Sequence, residues 1–338
     1  MDDGLAPTAF SARPAWQTAL AQAITRPADL LAALGIDPAL PALDAERLRD
    51  FLIRVPHSFV ARMRRGDAQD PLFRQVWPSR QEAEDVPGFT ADAVGDLHKL
   101  KTGGVIHKYH GRALVIATGA CAVNCRYCFR RHFPYGDTMA ARGQWRETLA
   151  ALDADPSIEE VILSGGDPLA LTDDKLAAFA EALESRPWIR RLRLHTRVPV
   201  VLPARVDARL TAWLRASRLQ KVAVLHINHA NEIDDAVATA CRDLRDAGVT
   251  LLNQAVLLRG INDATEDQVK LSERLFSVGI LPYYLHVLDR VSGAAHFDVS
   301  DKHAQSIMQG LAARLPGYLV PRLVREIAGE PAKTLLPW

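Results

Sequence analysis

Short runs rich in β-branched residues recur about every 30 residues from Arg112 onward, and this alternation most strongly limits the possible folds. The runs predict six strands, over Arg112–Thr118, Glu160–Ser164, Arg191–Thr196, Lys221–Asn228, Thr250–Leu258 and Leu281–Asp289. Amphipathic stretches between them predict helices over Asp173–Glu184, Val206–Ser217, Asn231–Ala247 and Thr265–Val278. Strands that alternate with helices in this way predict βα units built around a parallel sheet.

Six βα units are too few to close an eight-stranded barrel. The sequence therefore predicts an α/β protein with a partial (β/α)6 barrel, and a doubly wound open sheet is the alternative. In complete barrels the functional residues lie at the C-terminal ends of the strands, and we expect the same here.

The segments on either side of the barrel differ from it in pattern. Apolar residues at helical spacing in Ala15–Leu34 and Ala45–Arg64 predict a helical N-terminal region. After the barrel, the sequence predicts a helix over Asp301–Leu315 and an extended tail over Tyr318–Trp338. The three predicted domains are residues 1–100, 101–295 and 296–338.

The overall charge of the chain is close to balanced, with 41 Lys and Arg against 40 Asp and Glu in 338 residues. This balance argues against a partner that is a nucleic acid or a membrane surface. The first residues lack a basic segment followed by an apolar one, so no secretory signal is expected. Four cysteines without the pattern of a disulfide framework indicate a reducing compartment, and we expect a cytoplasmic protein.

Three of the four cysteines lie in one short segment, at Cys121, Cys125 and Cys128, with C-x3-C-x2-C spacing directly after the first predicted strand. Soft thiolate ligands favour iron–sulfur clusters, zinc or copper(I). A closed site needs four ligands, but Cys241 lies far away in a predicted amphipathic helix. Three ligands on a four-iron cluster leave one iron open for chemistry. The alternative is a set of buried or metal-scavenging cysteines without a catalytic role.

A second constellation, Ser164-Gly165-Gly166-Asp167-Pro168-Leu169, follows the second predicted strand. Two glycines at the end of a strand allow a ligand to approach the backbone closely. The carboxylate of Asp167 can accept a hydrogen bond from a ligand ammonium group. Taken alone, the segment favours an ordinary turn between a strand and a helix.

The cysteine spacing is similar to that of the radical S-adenosylmethionine (SAM) superfamily. Several further stretches, in the same order, resemble the lysine 2,3-aminomutase family, and in particular its branch of elongation factor P β-lysylation proteins. These stretches are residues 125–134, 164–169, 196–203, 226–233 and 253–263. The resemblance implies a [4Fe-4S] cluster, SAM and pyridoxal 5′-phosphate (PLP) as cofactors. It also implies an isomerase that converts L-lysine to β-lysine by a 1,2-amino shift.

The resemblance also implies roles for individual residues. The cluster ligands are Cys121, Cys125 and Cys128, and the SAM-binding residues are Gly165, Gly166, Asp167, His226 and Gln254. The lysine that bonds to PLP is Lys333 in the C-terminal segment, and the candidates for its phosphate are Lys108, Tyr109 and Arg112, just before the first predicted strand. The substrate carboxylate is assigned to Arg130, and its side-chain ammonium to Asp289 and Glu326. The family has aspartate where this chain has Glu326, which leaves the exact substrate open.

The implied partners are L-lysine, a reductant protein of flavodoxin or ferredoxin type, and a functional link to elongation factor P and its lysyl ligase. The oligomeric state stays open. Three alternatives remain: an aminomutase for another amino acid, a radical SAM enzyme without PLP, and a non-catalytic iron–sulfur binding protein.

Overall fold

A ten-stranded sheet runs through the described part of this computed structural model, which covers residues 14–40, 51–137, 139–143 and 145–338. The order of the strands in the sheet follows their order in the chain. The strands are β1 (Leu100–Lys101), β2 (Val105–Tyr109), β3 (Arg112–Thr118), β4 (Glu160–Gly165), β5 (Arg191–Thr196), β6 (Gln220–Leu225), β7 (Val249–Val256), β8 (Leu281–His286), β9 (Arg322–Arg325) and β10 (Thr334–Leu335).

Strands β3 to β9 are parallel, each paired with the next. Parallel neighbours in chain order are what successive right-handed βα units produce. At the two ends of the sheet, β2 pairs with β3 and β10 pairs with β9 in antiparallel orientation. The six predicted strands are confirmed as β3 to β8. The predicted extended tail proves to contain a seventh parallel strand, β9.

Helices connect the strands and cover the outside of the sheet. They are α1 (Ala15–Ala21), α2 (Pro27–Leu34), α3 (His57–Val60), α4 (Pro71–Arg74), α5 (Arg146–Asp153), α6 (Asp173–Glu184), α7 (Val198–Val201), α8 (Ala208–Ala216), α9 (Asp235–Asp246), α10 (Thr265–Ser277) and α11 (Asp301–Arg314). The predicted helices after β4, β5, β6 and β7 and the one that begins at Asp301 are confirmed within a few residues. No helix in the described ranges is both long and apolar enough to cross a membrane.

Helix α9 illustrates how the sequence pattern produces the packing. Val237, Ala240, Cys241 and Leu244 are buried, as their spacing on one face of a helix predicts. The carboxylate of Asp234 accepts a hydrogen bond from the backbone of the first turn and so caps the helix. Cys241 is therefore part of the helix–sheet core.

The side chains of strand β5 alternate between the hydrophobic core and the interior of the barrel. Leu192 and Leu194 are buried, whereas Arg193 and His195 line the interior cavity. Side chains along a strand point alternately to opposite faces, so the apolar set packs on the helices and the polar set faces inward.

The N-terminal region contains shorter helices than the sequence predicts. The expected helix over Ala15–Leu34 is two helices, because Ile24 leaves the helical path to form a β-bridge with Val55. Pro27 then starts α2, where its missing N–H costs nothing. In the expected helix over Ala45–Arg64, residues 45–50 lie outside the described residues, and only His57–Val60 of the remainder is α-helical.

Candidate active site

A cavity of about 640 Å³ runs along the inner face of the parallel strands to their carboxyl ends. Every residue that the sequence analysis assigned to a site lines this cavity, although they come from distant parts of the chain. They are Lys108, Tyr109, Arg112, Cys121, Cys125, Cys128, Arg130, Gly165, Gly166, Asp167, His226, Gln254, Asp289, Glu326 and Lys333. The structure thus brings the whole set together, and the role of each member stays a prediction.

The cysteine loop begins three residues after β3 and forms one wall of the cavity. Cys121, Cys125 and Cys128 are free thiols and partly buried. Burial raises the pKa of Cys121 well above its usual value and that of Cys128 to about 11. Among the described residues, no three His, Cys, Asp or Glu side chains are close enough together to hold a single metal ion. In a four-iron cluster each thiolate binds a different iron, so three thiols spread along one loop fit that larger group.

Residues 51–82, which we call the N-terminal clamp, hold the cysteine loop in place. Arg126 is fully buried and binds Glu82 through two nitrogens, and its Nη1 donates to the carbonyl of Phe51 at 2.6 Å. Arg131 donates to the same Glu82 carboxylate at 2.7 Å. The backbone N–H of Arg126 donates to the carbonyl of Gln75 at 2.9 Å. The N-terminal region therefore supports the loop directly, which the sequence analysis did not predict.

The two glycines at the end of β4 lie against the chain that leads into the cysteine loop. Gly165 has φ +115°, which side chains rarely allow, and a Cβ on Gly166 would overlap the carbonyl oxygen of Ala120. The backbone N–H of Gly166 donates to the carbonyl of Thr118 at 2.7 Å. The glycines are thus needed for the close packing of two loops as well as for any approach by a ligand.

Asp167 is hydrogen-bonded to its own chain through both carboxylate oxygens. Its two carboxylate oxygens accept hydrogen bonds from the chain itself at 2.7–3.1 Å, from the backbone N–H groups of Leu169, Arg197 and Val198 and the hydroxyl of Thr196. Burial raises its pKa to about 6 in spite of these bonds. Four bonds use all the acceptor sites of a carboxylate. Asp167 therefore anchors the ends of β4 and β5, and its contact with a ligand ammonium stays a prediction.

Lys333 and Glu326 form a pair that also lines the cavity. The Nζ of Lys333 lies 2.7 Å from Oε2 of Glu326, and the hydroxyl of Tyr109 donates to the other carboxylate oxygen. The Nζ of Lys108 lies 3.7 Å from Glu326. Burial raises the pKa of Glu326, but Lys333, Tyr109 and Lys108 outweigh it, so the net pKa is lowered. Glu326 is therefore ionised at neutral pH.

Asp289 lies in the same part of the cavity but has a different ionisation. Burial raises its pKa, Lys333 lowers it and the nearby Glu326 raises it, and the net pKa is about 7. Two carboxylates near one lysine thus divide into one that is ionised and one that titrates near neutral pH.

Arg130 is buried and oriented by two contacts. Its Nε lies 2.8 Å from Oδ2 of Asp96, and its Nη1 donates to the hydroxyl of Ser164 at 2.9 Å. Asp96 also lies 2.6 Å from Nζ of Lys108, so it bridges two cations. A guanidinium has five N–H donors, and two are used here, so Arg130 keeps donors for a ligand carboxylate.

The three candidates for the PLP phosphate are not equivalent in the structure. Lys108 and Tyr109 lie on β2, which pairs with β3 in antiparallel orientation. Lys108 already binds Asp96, and Tyr109 already binds Glu326. Arg112 packs over the ring of Tyr109 at 4.8 Å, and its buried Nε has no hydrogen-bond partner among the described residues. Arg112 is therefore the one of the three with a visibly open donor.

Several residues that line the cavity have buried polar atoms without hydrogen-bond partners. Nε2 of His195, His226 and His286 and Oε1 of Gln254 have no hydrogen-bond partner in the part of the chain that the structure describes. Burial lowers the pKa of His226 to about 4 and those of the other two histidines well below their usual value, so all three rings are neutral. Unsatisfied buried polar groups are costly, and their presence around a cavity fits a polar ligand.

Several residues with evident positions in the site were not assigned from sequence. They are Asp96, His195, Arg197, Glu232 and His286, all buried or lining the cavity. Arg197 and Glu232 lie in stretches that carried the family resemblance, so the stretches could have indicated them. His195 was detectable only as a polar residue on the inward face of β5, and nothing in the sequence marks Asp96.

Comparison with known proteins extends these observations. Residues 115–271 match the family model of the radical SAM superfamily. The chain is 49% identical to an L-lysine 2,3-aminomutase of Escherichia coli (strain K12) over 96% of this chain and 95% of that protein. It is 48% identical to one of Haemophilus influenzae and 40% identical to one of Buchnera aphidicola, over 95% and 94% of this chain and 95% and 94% of those proteins.

The βα sheet, the C-x3-C-x2-C loop at the carboxyl end of its first parallel strand, and identity along almost the whole chain agree with one another. The chain is a member of the L-lysine 2,3-aminomutase family, the isomerases of the radical SAM superfamily that the sequence resemblance indicated.

Proposed function

We propose that this protein is a radical SAM, PLP-dependent L-lysine 2,3-aminomutase that converts L-lysine to β-lysine. One observation carries the proposal: a single cavity is lined both by three free thiols and by the Lys333–Glu326 pair. The names of the relatives, all L-lysine 2,3-aminomutases, support the same activity.

In this proposal Cys121, Cys125 and Cys128 hold the [4Fe-4S] cluster. When bound, the cluster and SAM supply a 5′-deoxyadenosyl radical that removes a hydrogen atom from the substrate. His226 and Gln254 are proposed to bind SAM, because each lines the cavity and has a buried polar atom without a hydrogen-bond partner among the described residues. Residues 164–169, which we call the glycine loop, are proposed to bind SAM through their backbone, since the carboxylate of Asp167 already accepts four hydrogen bonds from the chain.

Lys333 is proposed to bond covalently to PLP. The cofactor supplies an aldehyde for the migrating nitrogen and a π-system that delocalises an unpaired electron. Nζ of Lys333 lies 5.9 Å from the centre of the Tyr284 ring, so an aromatic face is available beside it. Arg112 is proposed as the main phosphate ligand of the three candidates, because its Nε is open.

The substrate is proposed to lie between Arg130 and the two acids. Arg130 offers a charged fork for the α-carboxylate. Glu326 already binds the ammonium of Lys333 at 2.7 Å, which is the same chemical group as the side-chain ammonium of L-lysine. Asp289 and Glu326 together would repel an acidic side chain, which argues against a glutamate aminomutase.

The cellular context is proposed from the resemblance. The product is proposed to serve β-lysylation of elongation factor P through a separate lysyl ligase, with a flavodoxin or ferredoxin as reductant and a cytoplasmic location. We also propose the division into residues 1–100, 101–295 and 296–338, with the N-terminal clamp inside the first region.

An anaerobic assay tests the function. The protein is reconstituted with iron and sulfide, reduced, and incubated with SAM, PLP and L-lysine, and β-lysine is measured by mass-resolved chromatography. We expect β-lysine from the native chain and none from Cys125→Ala or Lys333→Ala. The Lys333→Ala protein should keep the iron–sulfur absorption and lose the PLP band.

The matched control is Lys270→Ala, because Lys270 is an exposed lysine that pairs with Glu266 at 3.6 Å. It should retain both absorption bands and the activity. Formation of 5′-deoxyadenosine without β-lysine would remove the substrate assignment and leave the radical SAM core. Neither product from a cluster-loaded protein would favour a non-catalytic iron–sulfur protein.

A further inference from the structure

The guanidinium of Arg197 contacts the cysteine loop at Cys125 and Tyr127. Arg197 directly follows β5 and is buried, with 5% of its surface exposed. Its Nη1 lies 2.7 Å from Sγ of Cys125 and 2.7 Å from the hydroxyl of Tyr127. A permanently charged donor therefore contacts one of the three candidate cluster ligands.

Arg197 is held in this position from three sides. Its Nη2 donates to Oε1 of Gln75 at 2.6 Å and to Oε2 of Glu232 at 2.9 Å, and its backbone N–H donates to Asp167 at 2.7 Å. Its guanidinium also lies 5.3 Å from the ring centre of Phe59. The N-terminal clamp, the loop after β6 and the glycine loop thus fix the position of a single charge.

Glu232 is in turn positioned by its own hydrogen bonds. It is fully buried, and its Oε1 accepts from the side chain of Gln75 at 3.1 Å and from the backbone N–H groups of Asn228 and His229 at 3.0 and 3.1 Å. A buried carboxylate with this many donors stays beside the guanidinium it pairs with. The positive charge of Arg197 beside Cys125 is therefore partly balanced by the negative charge of Glu232.

We propose that Arg197, positioned by Glu232 and Gln75, sets the reduction potential of the cluster through its contact with the sulfur of Cys125. Hydrogen bonds to ligand sulfurs and nearby charge are established determinants of iron–sulfur potentials. A cation at this place stabilises the more negative, reduced cluster and so raises the potential. Arg197 is a positioning residue, and the inference rests on the proposed cluster at Cys121, Cys125 and Cys128.

The test is a redox titration of the reconstituted protein, without SAM or substrate, followed by electron paramagnetic resonance of the reduced cluster. Arg197→Gln should lower the ratio of reduced to oxidised cluster at a fixed potential by about tenfold, which is a shift of about 59 mV for one electron. Glu232→Gln should shift the potential in the opposite direction, because it removes the negative charge that balances Arg197. A role limited to holding the fold would not produce shifts of opposite sign.

Arg205→Gln is the matched control. Arg205 is buried like Arg197 and pairs with Asp173 at 2.9 Å. Its other hydrogen bonds go to the backbone carbonyls of Leu169 and Leu171, and not to a cysteine among the described residues. It should lose stability without a change in potential. If Arg197→Gln does not fold, Arg197→Lys is measured in its place, together with Glu232→Gln. Lysine keeps the positive charge but loses the planar guanidinium, so Arg197→Lys should lower the reduction potential by less than the glutamine variant would.

Loaded clusters with native potentials in the variants of both Arg197 and Glu232 would overturn this inference and leave the proposed function intact. A native chain that shows no [4Fe-4S] signal after reconstitution would overturn the proposed function itself, and this inference with it.

Discussion

At the scale of single residues, the two acids near Lys333 show how environment divides chemically similar groups. Glu326 has a lowered pKa because three donors face it, whereas burial raises the pKa of Asp289 to about 7. The residue types were readable from the sequence and its resemblance to a family. Their ionisation was not, because it depends on neighbours that come from β2 and from the segment after β9.

The pKa of Asp289 predicts a pH dependence of substrate binding. Below pH 7 the protonated acid loses its attraction for an ammonium group, so the affinity for L-lysine should fall as the pH is lowered from about 8 to about 6. Asp289→Asn should bind roughly 10- to 100-fold more weakly at pH 8, in line with the worth of a charged hydrogen bond, and show little of this pH dependence.

Calorimetric titration of L-lysine into unreduced, cofactor-loaded protein measures this effect. Glu326→Gln is the comparison, because Glu326 stays ionised over this range and its loss should weaken binding by a similar factor at both pH values. Equal pH profiles for the native and Asp289→Asn proteins would contradict the prediction.

At the scale of elements, the cysteine loop depends on two neighbours of different kinds. The glycine loop packs against the backbone just before Cys121, and the N-terminal clamp binds Arg126 and Arg131 from the other side. The loop was predictable from its spacing and its place after a strand. The clamp was not, because a glutamate in a helical region gives no signal of the arginines it meets in the folded chain.

Gly166→Ala should disturb the cysteine loop. The new Cβ would overlap the carbonyl oxygen of Ala120, a backbone atom that cannot rotate away. We expect a loss of about 1–3 kcal/mol in the free energy of unfolding and a lower iron content after reconstitution. Gly317→Ala is the control, since no atom lies within 4 Å of the added Cβ and its φ is ordinary. If the Gly166→Ala protein keeps its native iron content, the close contact between Gly166 and Ala120 is not needed to position the cysteine loop.

Glu82→Ala should weaken the N-terminal clamp. It leaves the buried guanidinium groups of Arg126 and Arg131 without their carboxylate, a type of change that costs about 3–5 kcal/mol. Denaturant unfolding should show this loss, and a chelator should remove iron faster from the variant. Glu159→Ala removes a surface carboxylate that is 41% exposed and should cost less than about 1 kcal/mol. Similar losses for the two variants would argue against a clamp.

At the scale of the whole molecule, the cavity concentrates neutral histidines in the barrel interior. An unfolded histidine has a pKa of about 6.5, whereas burial lowers that of His226 to about 4. The unfolded chain therefore binds more protons between these values. The corresponding stability is fully present above pH 6.5 and is lost as the pH falls through about 4.

His226→Gln should make the cofactor-free protein less sensitive to acid. The pKa difference corresponds to about 3 kcal/mol, so the native protein should lose up to that much more unfolding free energy than the variant between pH 7 and pH 4. Urea unfolding at several pH values measures the difference, with the exposed His132→Gln as control. Parallel curves for the native and His226→Gln proteins would contradict the neutral, buried state of this ring.

The sequence alone determined the βα order, the six central strands and the cysteine loop, because each depends on local patterns: a period of two in strands, a helical period between them, and thiols a few residues apart. Tertiary structure decided that the tail enters the sheet as β9 and so carries Glu326 and Lys333 to the cavity. It also decided that the carboxylate of Asp167 binds its own chain, and that Arg197 reaches Cys125. These features are contacts between residues far apart in the chain, and no local period records which distant partner a side chain meets.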